Sequence, residues 1–336
     1  MRAVCILAAL LASCGGPRGS SGVAGRVHLI GFDAGEELIR GLAEHRLGGL
    51  VVQDPYRMGQ LGVATLVAHL EKRAVEPRIL TDATMVTPSN VADPKIRALV
   101  EPAKAPRAQG SLAGAKTRRW RIAMIPKGTE QDYWRTIHAG ALEAERAAGD
   151  VEVVWQGPAG ETDRFEQLQF VQEAVAAGVD GIVLAPLDAR AMARPVEMVA
   201  SKGIPVVIVD SGLESTSPIS FISTDNHKGG VLAARRMGEL LGGRGKVVLL
   251  RYKVGSESTE ERERGFLETL AAEFPRISVL SDAEHAGPTA GEAWRKVEAL
   301  LERFAGQIDG IFCVNESSTV GAMAALEAAG VLARER

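Results

Sequence analysis

Residues 26–62 read RVHLIGFDAGEELIRGLAEHRLGGLVVQDPYRMGQLG, a strand, a helix and a second strand. Residues 27–32 are a short apolar run rich in β-branched residues, closed by Gly31 and Asp33. Residues 36–47 place Leu38, Ile39, Leu42 and Ala43 at helical spacing, and Gly48-Gly49 ends that pattern. Residues 50–52 are a second buried run, stopped by Gln53-Asp54-Pro55. A helix between two such runs predicts a parallel pair with a crossover. Asp33 and Gln53 then stand at the carboxyl ends of neighbouring strands, the edge where open α/β sheets bind ligands. Taken alone, Asp33 reads more readily as a helix N-cap and Gln53 as a turn residue.

The same alternation continues outward. Residues 58–70 read as a helix, 77–86 as extended and 94–100 as a short helix. Residues 101–119 (EPAKAPRAQGSLAGAKTRR) carry no apolar periodicity and read as a linker. Beyond it, strands are predicted over 121–125, 151–155, 181–185, 205–209, 219–222, 246–250, 277–280 and 310–314, with a helix after most of them. So many strands exceed one comfortable sheet, and two α/β lobes, each a doubly wound parallel sheet, are expected. The chain stops at 332–336 just where the alternation calls for a strand, and a strand opens the folded part at Val27.

The 336 residues are 46% hydrophobic and 24% charged with a net charge of −3, which suits a globular protein and offers no footprint for nucleic acid. Residues 1–14 (MRAVCILAALLASC) have a positive start and an apolar stretch too short to span a bilayer, as in a secretory signal. LASC at 11–14 is similar to a bacterial lipobox, which would make Cys14 the lipidated N-terminus and residues 15–25 a tether; an ordinary signal peptide cut nearby is the alternative. Cys5, Cys14 and Cys313 match no zinc spacing, and Cys313 is expected to be a small buried hydrophobe.

Several strand ends carry polar or aromatic residues. MIPKGTEQDYW at 124–134 offers Lys127 and the pair Tyr133-Trp134, which would stack on a sugar ring or seal a helix against its sheet. Asp188 and Asp210 follow buried strands; ionised carboxylates accept hydroxyl hydrogen bonds in a geometry that suits polyols. Arg262, in GSESTEERERGF at 255–266, presents its planar fork or lies on a solvated face, and Asn315 ends another strand. GGRGK at 242–246 lies in the wrong order for a phosphate loop. No nucleophile and base arrangement can be read, although cleft aspartates leave a sugar-acting enzyme open.

Together these runs, with AGVDGIVLAPLDA, GIPVVIVDS, STDNHKGG and DGIFCVNES, resemble the type I periplasmic binding proteins, and among them the ribose-binding-protein-like receptors of sugar ABC transporters. The order differs: in that family the GFD and VVQDP segments come last. The chain therefore resembles a circular permutant, with 101–119 bridging the family's usual termini. The resemblance implies two lobes joined by a hinge. Lobe one would take 57–81 and 120–224; lobe two would take 26–56, 225–336 and about 82–90. It implies ligand-binding roles for Lys127, Tyr133, Trp134, Asp188, Asp210, Arg262, Asn315, Asp33 and Gln53, and a hinge at Thr224, Asp225 and Asn226. It also implies no cofactor, no metal and no catalysis. The expected ligand is a monosaccharide or related polyol, and the partner an ABC transporter permease. The place is the periplasm or cell envelope, with the membrane met only through a lipid anchor. The rival readings are a receptor domain for a membrane signalling partner and the core of a LacI-type regulator; the latter needs a helix-turn-helix before Trp120, for which 101–119 is too short.

Overall fold

Wholly buried apolar runs, GLVV at 49–52, GIVL at 181–184, VVIV at 206–209 and GIFC at 310–313, form inner strands of two separate sheets. Strands buried on both faces need helices on both faces, and the intervening segments supply them. The computed structural model describes residues 26–101, 103–106, 109–115 and 118–334. Cys5, Cys14, the signal segment and the tether lie outside the described residues.

The chain runs β1 (His28–Phe32), α1 (Glu36–Ala43), β2 (Gly49–Val52), α2 (Pro55–Leu70), β3 (Arg78–Thr81), β4 (Thr84–Val86) and α3 (Pro94–Val100). It continues through β5 (Trp120–Ile125), α4 (Asp132–Ala148), β6 (Val151–Trp155), α5 (Arg164–Ala176), β7 (Gly181–Leu184), α6 (Ala193–Ser201), β8 (Val206–Val209) and β9 (Ser220–Thr224). It closes with α7 (Asn226–Leu240), β10 (Arg244–Leu250), α8 (Glu257–Glu273), β11 (Arg276–Ser281), α9 (Ala290–Arg303), β12 (Gly310–Cys313) and α10 (Glu316–Ala328). Lobe one holds the sheet β3-β9-β8-β7-β5-β6, and lobe two the sheet β11-β10-β12-β1-β2-β4. Pairing is parallel throughout except β2 with β4. The opening β1 fits between β12 and β2, in register His28 to Gly310 and Ile30 to Gly49.

Residues 77–86, read as one extended stretch, divide between the lobes: β3 joins lobe one and β4 lobe two. The chain also crosses at Gln53–Pro55 and at Thr224–Asn226, and the three crossings bond to one another. Thr224 Oγ1 donates to Gln53 Oε1 at 2.8 Å, Asp225 N donates to Thr81 O at 3.0 Å, and the Thr81 and Thr224 hydroxyls lie 3.4 Å apart. A fourth connection is the 101–119 segment. Its described parts lie against lobe one: Ala105 and Arg135 exchange bonds at 3.0 Å, Lys104 pairs with Asp132 at 2.6 Å, and Gly110 N donates to Trp155 O at 2.7 Å.

Helices α2 and α4 cross with their backbones in contact. A Cβ on Gly59 would stand 1.9 Å from Ile137 O, and one on Gly140 would stand 1.9 Å from Tyr56 O. Nearby, His138 stacks on Trp155 with centroids 4.5 Å apart, and its Nδ1 is buried with no partner. Burial pushes its pKa down to about 4. The unfolded chain takes up that proton below the ordinary value of 6.5, the folded chain only near 4. The contribution is therefore complete above pH 6.5 and is lost as pH falls toward 4, by up to about 3 kcal/mol. Thermal melts of wild type and His138→Gln across that window are expected to show a steeper acid decline for wild type.

Candidate functional site

The lobes meet over a pocket bordered by the carboxyl ends of both sheets. Asp33, Gln53, Lys127, Tyr133, Trp134, Asp210, Arg262 and Asn315 line it. Asp33 ends β1 and Asp210 ends β8, and both take left-handed backbone conformations, φ 72° and 66°. Such geometry is uncommon for a residue with a Cβ and recurs where function demands it. In each lobe it turns one carboxylate off its strand into the pocket.

Neighbouring groups hold these carboxylates in place. Lys127 Nζ lies 2.8 Å from Asp210 Oδ2, with both side chains only 4% exposed. Tyr133 OH donates to Asp210 Oδ1 at 2.6 Å. Gln53 Nε2 and the Glu316 N–H donate to the two oxygens of Asp33 at 2.6 and 3.1 Å. Burial pushes the Asp33 carboxyl up, against the opposing pull of the Arg262 guanidinium and the Gln53 amide. Burial and the facing Asp210 and Asp33 carboxylates hold the Tyr133 phenol well above its ordinary range, so it stays a donor. Arg262 is buried. It lies 3.7 Å over the Phe32 ring and donates to Asn226 Oδ1 and Val314 O at 2.9 Å each. The solvated-face reading of Arg262 is thus replaced by a fixed, desolvated fork.

The remaining predicted residues divide. Asn315 borders the pocket and also caps α10. Trp134 is packed in the lobe-one core at 2% exposure, as a residue sealing its helix against the sheet, and also lines the pocket. Asp225 caps α7, and Asn226 bonds Arg262. Asp188 does not line the pocket. Three residues separate it from the end of β7, which carries it past the sheet edge. There it accepts from the backbone of Arg190 and Ala191 and pairs with Arg164.

Sequence reasoning missed Glu161, Tyr252 and Glu316, all of which line the pocket. Tyr252 and Glu316 sit just beyond β10 and β12, so the strand-end rule that found Asn315 also covers them. Glu161 lies in a loop with no pattern of its own. Burial and the Asp33 carboxylate push the Glu316 carboxyl up to about 8. The fold thus favours its protonated form, and this contribution is lost as pH rises from 4.5 to 8. Melts of the ligand-free chain over that window are expected to show an extra alkaline decline that Glu316→Gln removes.

Two sheets with a pocket at their facing carboxyl edges define a two-lobed binding protein. The family model for the periplasmic binding protein domain matches residues 122–335, and the chain belongs to that family. It is 30% identical to the xylitol-binding protein of Mycolicibacterium smegmatis over 56% of this chain and 53% of that one. It is 27% identical to the D-ribose/D-allose-binding protein of Pseudomonas aeruginosa over 62% of this chain and 67% of that one. The match to the first thus spans about half of that relative's length. A carbohydrate transporter solute-binding protein from Agrobacterium radiobacter, solved in complex with D-arabinose, superposes with a TM-score of 0.60 at 30% identity, covering 64% of this chain and 74% of that one.

Proposed function

We propose that this chain is an extracytoplasmic receptor that encloses a monosaccharide or related polyol between its lobes and delivers it to an ABC transporter permease. The observation that carries this reading is the pair Asp33 and Asp210, strand-end carboxylates from opposite lobes turned into one pocket. Buried carboxylates accept hydroxyl hydrogen bonds strongly, and Tyr133-Trp134 adds an apolar wall. A ligand that needs both lobes favours the closed form only by its extra affinity for it. The bonded crossings at Gln53, Thr81 and Thr224–Asn226 are the hinge in this reading. A thermal-shift screen over pentoses, hexoses and alditols is expected to single out one or a few stabilising ligands. Shifts from phosphorylated sugars alone, or from none of the sugars, would count against it.

Two finer points belong to the same reading. Cys14 is the lipid anchor, so Cys14→Ala is expected to move the protein from the membrane to the soluble fraction. The chain order is a circular permutation of the family's. In support, Val27 N donates to Val331 O and Ala333 N to Val27 O, which sets the beginning and the end of the described residues side by side. Termini close together at a surface are where such rearrangement is tolerated.

A further inference from the structure

The bonds between the lobes are not equivalent. At the rim, Ala189 N donates to Gly255 O at 3.0 Å and Gly212 N to Glu257 Oε2 at 2.8 Å. Beside them, Ser258 N donates to Ser211 Oγ at 3.1 Å. Each of these uses a backbone group. Glu161, in the loop between β6 and α5 of lobe one, is different. Its Oε1 accepts from the Trp134 indole at 2.8 Å, within its own lobe. Its Oε2 accepts from the Tyr252 hydroxyl of lobe two at 2.5 Å, and its carbonyl oxygen accepts from Lys253 Nζ at 2.9 Å. Trp134, Glu161 and Tyr252 all line the pocket, and both rings are almost wholly buried. One carboxylate thus ties an aromatic wall residue of one lobe to an aromatic residue of the other.

This arrangement has a direct consequence for opening. When the lobes part, Glu161 keeps Trp134 and loses Tyr252, so a half-buried carboxylate regains water on one side only. Burial, and then the Glu161 carboxylate, hold the Tyr252 phenol far above its ordinary range, so it remains a donor across the working pH range. Tyr133 packs edge-on against Trp134 with centroids 5.0 Å apart and donates to Asp210. A continuous chain of contacts therefore runs from Tyr252 through Glu161, Trp134 and Tyr133 to a pocket carboxylate.

We propose that Glu161 is a positioning residue that couples closure of the lobes to the aromatic wall of the pocket, with Tyr252 as its partner in lobe two. The proposal rests on the binding-protein reading above. A hydrogen bond to a charged acceptor sets the expected effect: Tyr252→Phe should speed ligand release roughly ten- to hundredfold, with little change in the association rate. Glu161→Gln keeps an acceptor for the Trp134 indole but withdraws the carboxylate from Tyr252, and should do the same.

The test is a double-mutant cycle on the full chain, read in two ways. Small-angle scattering of the ligand-free protein measures lobe opening, and stopped-flow fluorescence with xylitol and D-ribose measures release. Each single variant is expected to be more open than wild type, to release faster, and to melt within a few degrees of it. The double variant is expected to be no worse than the stronger single. Additive effects, unchanged opening, or a loss confined to the association rate would overturn the proposal. If wild type binds neither sugar yet the scattering cycle is non-additive, the coupling stands and the ligand assignment fails.

Discussion

Asp33→Ala is expected to weaken sugar binding by about a hundredfold or more while the protein remains folded. The carboxylate is 7% exposed, and two donors, the Gln53 amide and the Glu316 backbone N–H, are aimed at it. Removing it deletes an acceptor for ligand hydroxyls and leaves those donors facing an emptied pocket; loss of one partner from a buried, charged hydrogen bond costs about 2–5 kcal/mol. Asp33→Asn keeps the side-chain shape and, like aspartate, tolerates the left-handed backbone, so it should lose less affinity than alanine. Arg262→Ala should be comparable, because it removes a fork already fixed on Phe32, Asn226 and Val314. Calorimetric titration of the three variants, with far-ultraviolet dichroism to establish folding, checks the order. Unchanged affinity in either alanine variant would remove that residue from the site.

The largest effect on stability is expected far from the pocket, at Gly140→Val. Helices α2 and α4 touch backbone to backbone, so any side chain at 140 meets the Tyr56 carbonyl, a group that cannot rotate away. The two helices must separate, which opens the lobe-one core around Met58, Ile137 and Ala141. Overpacking against a backbone, added to the gaps it opens, is expected to cost about 3 kcal/mol or more. A chemical-denaturation midpoint close to that of wild type would contradict the close-crossing geometry. The effect should also reach binding, because α4 carries Tyr133 and Trp134 at its first turn.

The legible part of this protein was the part governed by local pattern. Continuous buried runs between turn residues gave the inner strands, since a strand covered on both faces has no polar side to show. The strand-end rule puts Asp33, Asp210, Gln53 and Asn315 at the edge where ligands bind, but only the family resemblance lifts Asp33 and Gln53 above a cap and a turn. What was not legible depends on where a segment goes after its pattern ends. Asp188 obeys the strand-end rule in sequence, yet Ala185-Pro186-Leu187 extend the chain beyond the edge and leave it as a turn cap. The break at Asp82-Ala83, which sends two halves of one extended stretch to different sheets, has no local marker stronger than a single aspartate, and it is the family resemblance that puts the lobe boundary between 81 and 82. Glu161 becomes visible only when the second lobe supplies Tyr252. Arg262 looked solvated because charged residues surround it, but its helix face turns it under Phe32. The opening segment 26–62, ambiguous by itself, acquires its role from β12, nearly 300 residues later in the chain, against which β1 pairs.

The pocket between the lobes is proposed to hold an uncharged sugar or polyol through Asp33 of one lobe and Asp210 of the other. The most direct test of that role is isothermal titration calorimetry of the wild-type chain and of Asp33→Ala with xylitol, D-ribose and D-arabinose. Single-site binding of at least one of them is expected, with a Kd on the order of 1 μM or tighter that the substitution weakens about a hundredfold or more. Flat titrations of wild type with all three, or a binding isotherm that Asp33→Ala leaves intact, would contradict it.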